Sequence, residues 1–215
     1  MIKNFFEKLK NRFLKFNNGF FQNYLYELKI DKIKKVRPKL PIQQKLINQN
    51  NYKKTAEVTN IESYKKKSKK MLDQGQIGIM AIYNNHIVGF SWAYVGKIFN
   101  KINKNKKAVN HLIHLNDNEA LIHFCRTAEY YRGNRIYSFL LSKLSNILFS
   151  RYKIKNIYID TDIENIPSQK GIKKVGFEKK YLVKRLKLLG FFIFKKFQKI
   201  NFLTNKRLNI QKIKK

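Results

Sequence analysis

Residues 119–137 read EALIHFCRTAEYYRGNRIY, and SFLLSKLSNILF follows over 138–149. Glu119 to Thr127 is apolar and β-prone, so a strand is predicted there. From Arg132 to Phe149 the pattern predicts a helix, with Ile136, Leu140, Leu141, Leu144 and Leu148 on one face. A short turn between a strand and a helix start exposes backbone N–H groups, and the helix dipole adds positive potential. Arg132 and Arg135 add full charges. The stretch therefore suits a phosphate or pyrophosphate. It holds a single glycine, Gly133, so neither a P-loop nor a dinucleotide fingerprint fits.

Working outward, Gln76 to Ile82 and Ile87 to Val95 are apolar runs joined by Asn84-Asn85, a hairpin signal. A helix is expected to end at Asp73, near Gly75, capped by Thr59 or Asn60. Residues 97–118 are polar, with several Lys and Asn, and predict a loop or a frayed hairpin. Downstream, NIYIDT at 156–161 predicts a strand. Pro167 marks a helix start and Gly176 its end. Segments 180–187 and 190–201 predict the last strands. Near the N-terminus, Phe5, Leu9, Phe13 and Phe16 alternate with Lys and Arg at helical spacing, a basic amphipathic helix over 2–16. Phe20 to Leu28 predicts a strand, and 29–55, broken by Pro38 and Pro41, a connecting segment. Strands mixed with helices in this order predict an α/β domain. The expected division is 1–55 as basic extension and linker, 56–200 as domain, and 201–215 as basic tail.

Three strings resemble the GNAT N-acetyltransferase family. Tyr131-Arg132-Gly133-Asn134-Arg135-Ile136-Tyr137 is similar to its pyrophosphate loop, with Arg135 and Tyr137 replacing two small residues. Asn165, Ser168, Gly176 and Phe177 fall at the offsets of its N-x-x-A-x-x-x-Y-x-x-x-G-F string, with Ile172 in place of Tyr. His86-Ile87-Val88-Gly89-Phe90 resembles its second hairpin strand. The resemblance implies a mixed, mainly antiparallel central sheet with splayed middle strands and flanking helices. It also implies acetyl-CoA as co-substrate and direct acyl transfer to an amine. On this reading the backbone of Cys125, Arg126 and Thr127 holds the pantetheine arm, and 132–137 hold the pyrophosphate. Asn165 and Ser168 lie on the cofactor side, or Asn165 is simply a helix cap.

The catalytic candidates come from strand alternation, which would put Glu119, Leu121, His123, Cys125 and Thr127 on one face. His123 and Glu119 are the candidate bases, since direct transfer needs proton removal from an ammonium group. With Ile172 at the usual acid position, Tyr137, Tyr158 and Tyr181 are the substitutes considered. Asp160, Asp162 and Glu164 form an acidic group that could meet a cationic acceptor. Trp92 is expected to pack in the sheet, and His111 and His114 to be solvated. A lone cysteine, Cys125, excludes a disulfide framework or a cysteine-rich zinc site; no metal is expected.

Composition says where the charge lies. The net charge of +34 divides into +14 over 1–70, +5 over 71–169 and +15 over 170–215. The near-neutral part carries the resemblance, and the basic ends suit an anionic partner. Expected partners are a small amine or glycan precursor, with peripheral contact to an anionic membrane. Nucleic acid is not expected, because no reader motif accompanies the charge. The expected setting is cytoplasmic, since no run reaches a membrane-spanning length and the N-terminus does not read as a signal peptide. A GNAT-fold module without chemistry, binding membrane or another polyanion, is the alternative.

Overall fold

Asn84 and Asn85 take φ of 48° and 62°, which a two-residue type I′ turn requires and asparagine tolerates. They join β3 (Ile77–Tyr83) to β4 (His86–Val95). The structure, a computed structural model, describes residues 19–58, 61–102, 113–188 and 191–200. The helix expected over 2–16, His111, and the tail from 201 onward lie outside the described residues.

The chain divides into two units. The larger runs from Tyr26 to Glu178. Its strands are β2 (Gln43–Leu46), β3, β4, β5 (Glu119–Thr127) and β6 (Asn156–Asp162), in that order across the sheet, followed by the end of β1 (Gly19–Lys29). Pairing is antiparallel through β2, β3, β4 and β5, and parallel between β5 and β6. Its helices are α1 (Ser63–Asp73), α2 (Gly96–Ile102), α3 (Ile136–Tyr152) and α4 (Ile166–Lys174).

The two faces of β4 show how the layers form. Gly89, Ser91 and Ala93 alternate with Phe90, Trp92 and Tyr94. The absence of a side chain at Gly89 lets α3 approach: a Cβ there would lie 3.2 Å from both Ile136 Cγ2 and Leu140 Cδ1. On the other face Phe90 and Trp92 join Met71 of α1 with Ile47, Val58 and Met80 in one apolar cluster. Trp92 is fully buried, so it is a core residue.

Several elements depart from the sequence expectation. Residues 29–55 contain β2 and are pinned at three further points rather than simply connecting. Lys34 N donates to Val175 O at 2.8 Å, Ser142 Oγ to Lys34 O at 2.9 Å, and Lys39 N to Asn134 O at 3.0 Å. Basic composition and two prolines hide a strand of four residues whose partner is distant in sequence. In α1 the cap position is Glu62, and it makes no side-chain capping bond; Thr59 and Asn60 are outside the described residues. The polar segment from 97 begins as α2. The long helix starts at Ile136, not Arg132, because Gly133 and Arg135 are left-handed, φ 80° and 61°.

The smaller unit contains the first part of β1, β7 (Glu178–Leu188) from Lys179 onward, and β8 (Phe191–Lys199). The strand order is β1-β7-β8, and β7 and β8 pair antiparallel from Tyr181↔Lys199 to Leu188↔Phe191. Arg185 Nη2 donates to Asn23 Oδ1 at 2.6 Å.

Candidate functional site

The site begins where β5 and β6 stop pairing. Their parallel register runs from Glu119↔Asn156 to Ile122↔Ile159, yet β5 continues to Thr127 and β6 to Asp162. Beyond Ile122 the strands part. β5 is also bulged there: Phe90 pairs with Arg126 but Trp92 pairs with His123, so β5 carries one extra residue. Phe124 takes φ 48° at this point. A non-glycine residue in that conformation costs roughly 1–3 kcal/mol and persists only where packing enforces it. Its ring is held 5.1 Å from Tyr64 and 5.4 Å from Phe90, with Lys67 Nζ 3.7 Å from its centroid. A bulge and an end of pairing both release backbone N–H and C=O groups from the ladder, here along one wall of a cleft.

That cleft measures about 890 Å³ and runs from His123 through the β5–α3 loop to α4. In the loop, Asn134 Nδ2 donates to Tyr131 O at 3.2 Å, and Arg132 pairs with Glu129 at 3.2 Å on the exposed surface. A Cβ built at Gly133 would have no atom within 4 Å, so this stretch of backbone is open to a ligand. Helix α3 starts without a side-chain cap. Its first backbone bond is Phe139 N to Arg135 O, 2.9 Å. The amides of Ile136, Tyr137 and Ser138 precede it and have no intrahelical acceptor by construction. Arg132 and Arg135 from the loop, and Lys170 and Lys174 from α4, line the same cleft. An uncapped helix start beside four cations has the electrostatics that suit an anion.

Tyr137 defines the cleft's inner part. Its hydroxyl lies 3.0 Å from Ser168 Oγ, and its ring lies on α4, where a Cβ at Gly171 would come within 2.6 Å of Cδ1. The large residue on α3 is thus matched by glycine on α4. Burial, together with Cys125, pushes the Tyr137 hydroxyl far above the usual phenol range, so it keeps its proton. Ile172 is fully buried and belongs to the core.

The bulge corrects the expected strand face. Up to His123 the alternation holds, and His123 stacks on Tyr94 at 4.3 Å. Past Phe124 it inverts: Thr127 pairs with Gly89, and Cys125 neighbours Ser91. Cys125 and Thr127 therefore lie on the α3 face, opposite Glu119, Leu121 and His123. Single-sequence alternation cannot reveal an inserted residue.

The other predicted residues can now be placed. Cys125, Arg126, Thr127, Arg132, Gly133, Arg135, Ile136, Tyr137, Asn165 and Ser168 all line the cleft with His123. Asn134 holds the loop's shape. Asn165 caps α4, its Oδ1 accepting from Ser168 N at 3.1 Å. Glu119 lies at the far end of β5, where Oε2 accepts from Asn116 N (2.9 Å) and Oε1 from the Tyr158 hydroxyl (3.1 Å). It is not among the cleft-lining residues. His123 Nε2 is 2.8 Å from Gln76 Oε1; if that oxygen accepts, Nδ1 is the basic nitrogen. Asp160 lines the cleft, whereas Asp162 Oδ1 accepts from Glu164 N in the turn before α4, so the three acids do not form one group. His114 is exposed, as expected. Lys170 and Lys174 were missed by the sequence reading, although their four-residue spacing puts them on one helix face.

A sequence profile of the Acetyltransferase (GNAT) family matches residues 47–177, more than half of the chain. The chain belongs to the GNAT acetyltransferase family. Solved structures agree on the GNAT fold. An acetyltransferase of the GNAT family from Colwellia psychrerythraea superposes with TM-score 0.57 at 12% identity, over 81% of this chain and 59% of that one. A functionally unknown conserved protein from Staphylococcus epidermidis ATCC 12228 gives 0.52 at 12%, over 83% and 64%. A GCN5-related N-acetyltransferase from Sphaerobacter thermophilus gives 0.54 at 12%, over 86% and 56%. At such identity the likeness is one of fold. The chain spans about three fifths of the length of these structures. A search of curated proteins finds no match. Among the described residues of this GNAT chain, no helix is long and apolar enough to cross a membrane.

Cys125 offers a direct check of the cleft's interior. Burial raises its thiol to about 11, an effect that Ser91 and Arg126 only partly offset. A raised thiol pKa favours the neutral form, so thiolate should accumulate only as pH approaches 11. At pH 8, alkylation of Cys125 in the folded protein should run roughly 100-fold slower than for an exposed cysteine. Mass spectrometry after iodoacetamide treatment would measure this, and labelling as fast as in denaturant would refute it.

Proposed function

We propose that this protein is an acyl-CoA-dependent N-acyltransferase that uses acetyl-CoA and transfers the acyl group directly to an amine. The acceptor class we favour is an amino sugar or another cell-surface precursor. The observation that carries the reading is a single cleft joining the split between β5 and β6 to the uncapped, cation-lined start of α3.

The residues fit such a co-substrate. The amides of Ile136, Tyr137 and Ser138, with Arg132, Arg135, Lys170 and Lys174, would hold its phosphates. Released backbone groups of Cys125, Arg126 and Thr127 would hold its extended arm. When bound, the co-substrate supplies a thioester carbonyl open to attack. His123 Nδ1 would take the proton of an acceptor ammonium, directly or through water. Tyr137 Oη retains its proton beside Ser168 and is the hydroxyl best suited to donate inside the cleft. The protein's contribution is mostly positioning and backbone hydrogen bonding.

Calorimetric titration with acetyl-CoA, followed by an amine screen read by free-thiol release, tests the proposal. Micromolar binding and amine-dependent thiol release are expected. Absence of binding at millimolar acetyl-CoA would sink it. One observation favours a second reading, a GNAT fold that binds without transferring: Tyr137 places a large ring where the family resemblance has a small residue. Binding of coenzyme A with no thiol release across the amine panel would support that reading.

A further inference from the structure

Gln76 is a polar residue in a place that favours an apolar one. Helix α1 ends in a Schellman turn: Gly75 takes φ 69°, its N donates to Leu72 O at 2.8 Å, and Gln76 N donates to Met71 O at 3.0 Å. The residue after the glycine of this motif commonly makes an apolar contact with the helix it closes. Here that residue is Gln76, only 4% exposed, immediately before β3. A buried amide is costly unless its groups are hydrogen-bonded. Methionine would fill about the same volume without that cost, so packing alone does not explain a glutamine.

Its partners fix which way the amide points. Gln76 Nε2 donates to Gln74 Oε1 at 2.9 Å. Burial raises the Tyr94 hydroxyl above the usual phenol range, and a hydrogen bond from Gln76 offsets this only in part. The two amide hydrogens thus go to Gln74 and Tyr94, and Oε1 remains as the acceptor. That oxygen lies 2.8 Å from His123 Nε2. A carbonyl oxygen only accepts, so Nε2 carries the imidazole proton and Nδ1 the lone pair. Tyr94 also stacks on the His123 ring, with centroids 4.3 Å and planes 15° apart. The ring is held at one edge by Gln76 and on one face by Tyr94, and His123 lines the cleft.

We infer that Gln76 is a positioning residue: its Oε1 holds His123 in the Nε2–H tautomer and so makes Nδ1 the basic nitrogen. Gln74 acts one step further out, by holding the Gln76 amide. The consequence for catalysis rests on the transfer reaction proposed above; the tautomer does not.

Nitrogen NMR of the full chain, isotopically labelled at histidine, tests the tautomer without any substrate. The His123 signals are those lost in His123→Asn. Above the imidazole titration, wild type should show the Nε2–H form alone, with a proton slow to exchange with water. Gln76→Met should give both tautomers and faster exchange. Gln76→Glu sets a carboxylate against the ring and should raise the His123 pKa by about one unit or more. Other titratable or charged groups on the elements around it are Lys67 on α1, Tyr94 on β4, Cys125 and Arg126 on β5, and Asp160 on β6. All are unchanged in these variants, so the shift reports position 76. A merely structural residue would move Tm and leave tautomer and pKa in place. In turnover the base must be neutral, so the acid limb of kcat/KM should move upward with the pKa in Gln76→Glu. Gln76→Met should lower kcat about tenfold and leave KM for acetyl-CoA unchanged. The inference is overturned if wild-type His123 is the Nδ1–H form, which a flipped Gln76 amide would give, or a mixture. It is equally overturned if Gln76→Glu leaves the imidazole pKa unchanged. A pure Nε2–H form with the expected pKa shift, in a protein that acylates no amine, would uphold the role of Gln76 and overturn the transfer reaction instead.

Discussion

Replacing Gly176 by alanine should cost about 3 kcal/mol or more and lower Tm by about 10 °C. Two independent effects add at this position. Its φ is 102°, a conformation that residues with a side chain avoid. A Cβ there would also overlap the carbonyl oxygen of Lys32. That carbonyl belongs to the strap pinned to the end of α4 through Lys34 N and Val175 O, so neither side has room to yield. Gly133→Ala is the control. Gly133 is also left-handed, φ 80°, but has nothing within 4 Å of the added atom. That change should cost only backbone strain, roughly 1–2 kcal/mol. Thermal unfolding followed by circular dichroism compares them. A Gly176→Ala protein melting within about 2 °C of wild type would show that the strap is not held as described.

The second large effect is expected at Arg135, which both strains the loop and charges the cleft. Its φ of 61° favours glycine, yet its side chain lines the cleft beside the uncapped start of α3. Arg135→Gly should therefore raise stability by about 1 kcal/mol while weakening coenzyme A binding about tenfold, through the lost charge. Arg135→Glu keeps the strain and reverses the charge, and should weaken binding about 100-fold. Calorimetric Kd values and melting curves on the three proteins separate backbone from charge. Equal affinities would remove Arg135 from the anion site. A loss in Arg135→Glu that high salt does not alter would argue against an electrostatic cause.

Parts of this molecule were legible because the information is local. The Asn84-Asn85 hairpin, β5, β6 and the Pro167-led helix each rest on propensities and punctuation that act within a few residues. The turn between β5 and α3 was legible for the same reason, since a strand, a turn with Gly133 and an apolar-faced helix follow without interruption. Other features depend on partners far along the chain. Nothing near Gln43–Leu46 announces that β3 will pair with it. The pairing of Tyr137 with Gly171 is visible only once α3 and α4 are side by side. The expectation that five residues of β5 share a face failed for a comparable reason. One inserted residue, enforced by the packing of Phe124 against Tyr64 and Phe90, inverts every side chain that follows.

The sequence by itself determined the fold family, the position of the glycine-containing loop between β5 and α3 and the uneven distribution of charge, because spacing and composition encode these directly. Only the tertiary structure decided what that charge and those spacings meet. It put Lys170 and Lys174 beside the loop, turned Cys125 and Thr127 to the α3 face, left Glu119 away from the cleft, and set Lys184 against Lys196. Strand register and helix packing fix such juxtapositions, and they arise from contacts between segments that carry no mark of one another.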